Sequence, residues 1–185
     1  MSAIRLASRY AKSLLDLAIE NNKLEQVYDD ILEFDKALQS RDFLLMLKSP
    51  IIKSDKKLAI LKAIFKDNFE PMTTGFINLV VTKHREFYLP EVITAFKEQY
   101  KELKQIATAN LVTATPVNEQ LLEQVREIVL NQTGKKWVEI TKSIDPTILG
   151  GFILTFDDKQ YDCSIANKLF DLQKEFKENK YIRQF

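Results

Sequence analysis

The sequence predicts an α+β protein of two domains: a six-helix bundle over residues 1–105 and a small mixed α/β domain over residues 106–185. Three observations carry this expectation. Apolar residues recur at three- and four-residue spacing almost continuously from Ala3 to Gln105, the period of a helix face. From Ile106 the chain turns to alternation among β-branched residues, the period of a strand. The length of 185 residues is enough for two separate cores.

Each element then follows in order. Ile4, Ala7, Ala11, Leu14 and Ala18 share one face of a first helix, which Asn21-Asn22 ends. Leu24, Val27, Ile31, Phe34 and Leu38 mark a second, closing near Ser40. A third, Asp42 to Leu47, stops before Pro50, because the residue before a proline is pushed out of the helical region. Ser54 reads as the cap of a fourth helix carrying Leu58, Leu61, Ile64 and Phe65. Pro71 and Pro90 open a fifth (through Val81) and a sixth helix, in the first turn, where a missing N–H is harmless. Ile93, Phe96, Tyr100 and Leu103 of the sixth are expected to face inward.

Beyond Gln105 the expected strands are Ile106 to Thr115, Trp137 to Lys142, Ile148 to Phe156 and a short return strand beginning at Tyr161. A helix with Leu121, Leu122, Val125, Ile128 and Val129 lies between the first two and ends at Thr133-Gly134. Ser164 caps a final helix in which Leu169, Leu172 and Phe176 are expected to point inward. Phe170, Tyr181, Ile182 and Phe185 are left over towards a Lys- and Glu-rich tail, which reads either as a tether or docking segment or, more simply, as a frayed terminus.

Composition narrows the function. Lys plus Arg (27) balances Asp plus Glu (26), and the segment up to Gln105 holds 17 and 15 of them. A nucleic-acid footprint needs a basic excess that neither half has, so a nucleic-acid-binding or other adaptor is the weaker alternative to the reading below. The lone Cys163 permits no disulfide within the chain and suits a reducing compartment. No apolar run approaches the ~20 residues that span a bilayer. Asp16 and Glu20 argue against reading the amphipathic start as a targeting peptide, and it is expected to belong to the fold.

The constellations of catalysis are missing. Gly150-Gly151, in DPTILGGFIL, is followed by Phe152-Ile153-Leu154, without the lysine and hydroxyl of a phosphate loop or the helix of a dinucleotide fingerprint. The pair is expected to serve the backbone, letting a strand bend or approach a neighbour. His84 lies among polar residues and reads as a solvated helix end; one histidine and one cysteine supply no metal-ligand spacing. Asp29-Asp30 and Asp157-Asp158 read as surface charges. No catalytic, cofactor-binding or metal-binding residue is assigned, and no cofactor is expected.

Two helices carry more apolar surface than one core-facing stripe of about 100° requires. The first adds Leu6, Tyr10 and Leu17 to its core set, and the fifth carries Met72, Phe76, Leu79 and Val80 with Ile77 and Val81. Either these helices are central, or a groove between them takes an amphipathic partner helix.

Taken together, several stretches resemble the δ subunit of F-type ATP synthases, called the oligomycin-sensitivity-conferring protein in mitochondria. They are Arg9-Tyr10-Ala11-Lys12-Ser13-Leu14, Leu47-Lys48-Ser49-Pro50-Ile51-Ile52, Lys57-Leu58-Ala59-Ile60-Leu61, Ala114-Thr115-Pro116, Asp145 to Phe152 and Asp162-Cys163-Ser164-Ile165. Their order and spacing over the whole chain carry the similarity; each alone is a capping or packing pattern. Cys163 is a mild departure, at a position where many relatives carry another small or polar residue. The resemblance implies a non-catalytic stator subunit that joins the catalytic head to the peripheral stalk of a proton-translocating synthase. It implies that the first domain holds the N-terminal helix of an α subunit between its first and fifth helices, and that the second meets the b subunits. The groove residues expected on this basis are Tyr10, Ala11, Leu14, Phe76, Ile77 and Val80. The expected location is peripheral, on the cytoplasmic face of a bacterial cell membrane.

Overall fold

A computed structural model describes residues 3–65 and 68–177; Tyr181, Ile182 and Phe185 lie outside them. The chain divides into two compact units between Lys101 and Glu102.

Among the described residues, the first unit is built from α1 (Ala3–Glu20), α2 (Leu24–Leu38), α3 (Arg41–Lys48), α4 (Ser54–Phe65), α5 (Pro71–Thr82) and α6 (Leu89–Leu103), with a 3-10 turn at Glu86–Tyr88. Helix α1 packs against α2 and α5. It can lie close to them because Ala7, Ala11 and Ala18 occupy its inner line and are buried with Leu14. Phe34, Phe43, Phe65 and Phe69 form an aromatic cluster, with Phe34 stacked on Phe65 at 5.1 Å and Phe43 edge-on to both. Leu103, expected inward, is exposed, because α6 ends at that residue. Ser54 does not cap α4 as expected. The Lys53 carbonyl accepts from the N–H groups of Lys56 and Lys57, while the Ser54 hydroxyl lies 3.2 Å from His84 Nδ1.

Two buried charged groups tie helices together. Lys57 Nζ donates to Glu86 Oε1 (2.8 Å) and to the Leu47 carbonyl at the end of α3 (2.9 Å). Asp30 on α2 accepts the N–H of Glu70, the residue before α5, at 2.9 Å. Burial raises the Asp30 pKa above its usual value; the nearby Thr73 hydroxyl and the Glu70 N–H offset part of the rise. Below the unfolded-state pKa of about 4 both states are protonated, and stability is full. As pH rises, the unfolded state ionises first, so this stabilisation is lost up to the higher folded-state pKa. Asp30→Asn keeps an acceptor for the Glu70 N–H without a charge. Relative to wild type, the variant is therefore expected to gain stability as pH rises from about 4 to about 7, in urea denaturation at each pH. A pH-independent difference would contradict this account.

The second unit contains β1 (Ile106–Thr113), α7 (Glu119–Thr133), β2 (Trp137–Ile144), β3 (Phe152–Phe156), β4 (Lys159–Asp162) and α8 (Ile165–Lys177). The sheet order is β2-β1-β3-β4. Strand β2 is parallel to β1, with Ala109 opposite Ile140, and α7 supplies the crossover a parallel pair requires. Strand β3 runs antiparallel to β1, with Leu111 opposite Leu154, and β4 returns antiparallel to β3. The core sits between one sheet face and α7: Ala107, Ala109, Leu111, Leu154 and Phe156 against Val125 and Val129. Gly134 ends α7 in the left-handed region at φ +66°.

The third strand is shorter than its apolar run suggested. Asp145 Oδ1 accepts from the Thr147 N–H (2.9 Å) and hydroxyl (2.6 Å), winding Pro146–Ile148 into a 3-10 turn. Leu149 and Gly151 then take positive φ, so extended backbone resumes only at Phe152. Asp162 accepts the Ser164 N–H, and Ser164 Oγ accepts the Asn167 N–H, starting α8. The hydroxyl and then the N–H of Thr147 hold Asp145 below the ordinary carboxylate range, and the hydroxyl and N–H of Ser164 do the same for Asp162.

Candidate partner-binding surfaces

Helices α1 and α5 each carry two apolar lines. On α1 the inner line is Ala7, Ala11, Leu14 and Ala18, all buried. The line beside it, Leu6, Tyr10, Ser13 and Leu17, is the same set shifted by one residue and so turned by about 100°. On α5 the inner line is Thr73, Ile77 and Val80, and the line beside it is Met72, Phe76 and Leu79. The same shift applies. The outer lines are open: Leu17 is 43% and Leu79 50% exposed, while Leu6, Tyr10, Met72 and Phe76 are half-buried.

The outer lines meet where the Tyr10 ring sits edge-on to Phe76, 6.1 Å between centroids. Past the end of α5, Arg85 Nη1 donates to the Tyr10 hydroxyl, and its guanidinium lies 5.7 Å from the Tyr10 ring centroid. Leu6, Arg9, Tyr10, Ser13 and Arg85 line a pocket of about 230 Å³ there.

Of the six expected groove residues, Tyr10 and Phe76 are on this surface. Ala11, Leu14, Ile77 and Val80 are buried inside the unit, at 6% exposure or less. A partner cannot touch those four without opening the helices, so a carboxylate at Ala11 would destabilise the unit before it tested any groove. The surface residues not singled out for the groove are Leu6, Leu17, Met72, Leu79 and Arg85. By sequence, Leu6 and Leu17 are additions to the core set of α1, whereas Met72 and Leu79 fall in the main apolar stripe of α5, to which Ile77 and Val81 are added. For Leu6 and Leu17 the signal was the alanine-rich line next to them, because small residues mark the side on which helices pack closely; α5 has no such line beside Met72 and Leu79. Nothing in the sequence pattern pointed to Arg85.

A second open surface lies on α8. Ile165, Leu169, Leu172 and Phe176, spaced four, three and four, form the a/d seam of a coiled-coil helix. Leu169, Leu172 and Phe176 were expected inward. All four are exposed, from 47% for Ile165 to 87% for Phe176, because the sheet's core face is already filled by α7. His84 and Cys163 are exposed. Among the described residues no three His, Cys, Asp or Glu side chains could together hold a metal ion, and no helix is long and apolar enough to cross a membrane.

Open helix faces in both units, each patterned for another helix, define a docking protein. Comparison with known proteins gives the particular family. The model of the family described as ATP synthase delta (OSCP) subunit matches residues 6–176. The chain is 36% identical to ATP synthase subunit delta of Cytophaga hutchinsonii, over 96% of this chain and 97% of that one. It is 38% identical to the subunit delta of Amoebophilus asiaticus, over 95% and 96%. A chain in the cryo-EM structure of the Toxoplasma gondii mitochondrial ATP synthase hexamer superposes with a TM-score of 0.69 at 26% identity, covering 92% of this chain and 97% of that one. The chain belongs to the ATP synthase delta (OSCP) family. It is a non-catalytic stator subunit of an ATP synthase, part of a membrane-associated complex.

Proposed function

We propose that residues 1–105, a six-helix domain, hold the N-terminal helix of the synthase α subunit in the α1–α5 groove, and that residues 106–185 bind the b subunits of the peripheral stalk. The observation that carries this reading is the second apolar line on both α1 and α5, open and meeting at Tyr10 and Phe76. An amphipathic helix laid along it covers both lines with one apolar face. The a/d seam of α8 supports the stalk half of the reading, since such a seam takes another helix of matching repeat. The work is mechanical: torque on the catalytic head is opposed through two helix contacts, one in each unit. The protein would then lie peripherally, on the cytoplasmic face of a bacterial membrane.

The test is calorimetric titration of the full chain with a peptide spanning the α-subunit N-terminal helix. Leu17→Asp and Leu79→Asp change exposed residues and are expected to leave the circular dichroism intact. Each should weaken the peptide by about 2 kcal/mol or more, because a carboxylate is buried without a partner on binding. Wild-type affinity in both variants would refute the groove.

A further inference from the structure

Resting on that reading of the groove, we propose that Arg85 takes a carboxylate of the bound helix, which fixes its direction and register. Apolar contact along two stripes is not directional, so an amphipathic helix could slide or reverse along it. A charge-assisted contact at one end removes that freedom.

The position of Arg85 is set by backbone. Its N–H bonds to the Val80 carbonyl at 3.0 Å, closing α5 after His84 takes φ +54°. The Tyr10 hydroxyl accepts from Nη1, and Phe76 braces the Tyr10 ring. A guanidinium carries five N–H donors, so a single bond to Tyr10 leaves a fork for a carboxylate. Arg85 is exposed, and among the described residues it is in no ion pair. The adjoining pocket is lined by two guanidinium side chains, two hydroxyl side chains and a leucine, with no carboxylate. The positive charge that Arg85 brings there complements an Asp or Glu and repels a basic helix.

The experiment is a double-mutant cycle with the full chain and the α-subunit N-terminal peptide, in which each Asp or Glu is changed in turn to Asn or Gln. Arg85→Ala is expected to weaken the wild-type peptide about tenfold. One amidated peptide should lose about the same on wild type and nothing further on Arg85→Ala, whose affinity should also depend less on salt. Tyr10→Phe, which keeps the ring and the charge, should stay within about threefold. Unchanged affinity in Arg85→Ala, or additive losses for every amidated peptide, would overturn the inference. If Leu79→Asp abolishes binding while Arg85→Ala does not weaken it, only the Arg85 contact falls. A wild-type chain that fails to bind the peptide removes the groove and this contact together.

Discussion

Alanine at Gly151 is expected to cost the second unit about 3 kcal/mol or more, enough to unfold much of it. Gly151 sits at φ +76°, where a side chain is strained before any contact is considered. An added Cβ would also lie 2.3 Å from the Cys163 carbonyl oxygen and 3.2 Å from Ser164 Cα. Those atoms are backbone and are held from several sides. Cys163 N–H bonds to the Phe152 carbonyl, Ile165 N–H to the Gly150 carbonyl, and Ser164 N–H to the Asp162 carboxylate. Relief can come only by displacing the start of α8 from the turn before β3. Gly150→Ala is the control: its Cβ would meet Ile165 Cδ1 at 2.7 Å, the far end of a side chain that can rotate away. It should cost about 1 kcal/mol. Denaturation followed by Trp137 fluorescence reads the second unit alone, since Trp137 is the only tryptophan. Equal losses in the two variants would show that the close approach at Gly151 does not hold α8.

The second large effect is expected at Lys57. Its ammonium is buried beside Glu86, with 3% and 11% of the two side chains exposed. Lys57→Met leaves the Glu86 carboxylate without its cation and the Leu47 carbonyl without a donor, a loss of about 3–5 kcal/mol. Adding Glu86→Leu should restore most of it, because removing both charges of a buried pair also removes their desolvation penalty. Urea denaturation by circular dichroism distinguishes the cases, with the two units fitted as separate transitions. A single variant within 1 kcal/mol of wild type would mean that water replaces the lysine. The pair joins α3, α4 and the turn before α6, since the Lys57 ammonium also holds the Leu47 carbonyl.

Most elements could be read from the chain because each is punctuated locally. Pro71 starts α5, Gly134 ends α7 and Ser164 caps α8, each through backbone chemistry that needs no distant partner. The apolar run from Ile148 misled, since Asp145 draws three residues into a turn that apolar content alone does not reveal. Ser54 misled for the opposite reason: a capping residue found a tertiary partner in His84. The family was legible from the same punctuation, arranged in a specific order.

The open surface of α1 and α5 was half legible. The amino-acid order determined that α1 and α5 each carry two adjacent apolar lines, because a shift of one residue turns a helix by about 100° whatever surrounds it. Only the tertiary structure decided which line is core. Neighbouring helices cover Ala11, Leu14, Ile77 and Val80 and leave Leu17 and Leu79 open, a choice that depends on who packs against whom. It also decided that α8, amphipathic by sequence, keeps its apolar seam exposed, since α7 already fills the one face the sheet offers. Periodicity states how much surface must be covered; whether this chain or another covers it is settled by packing.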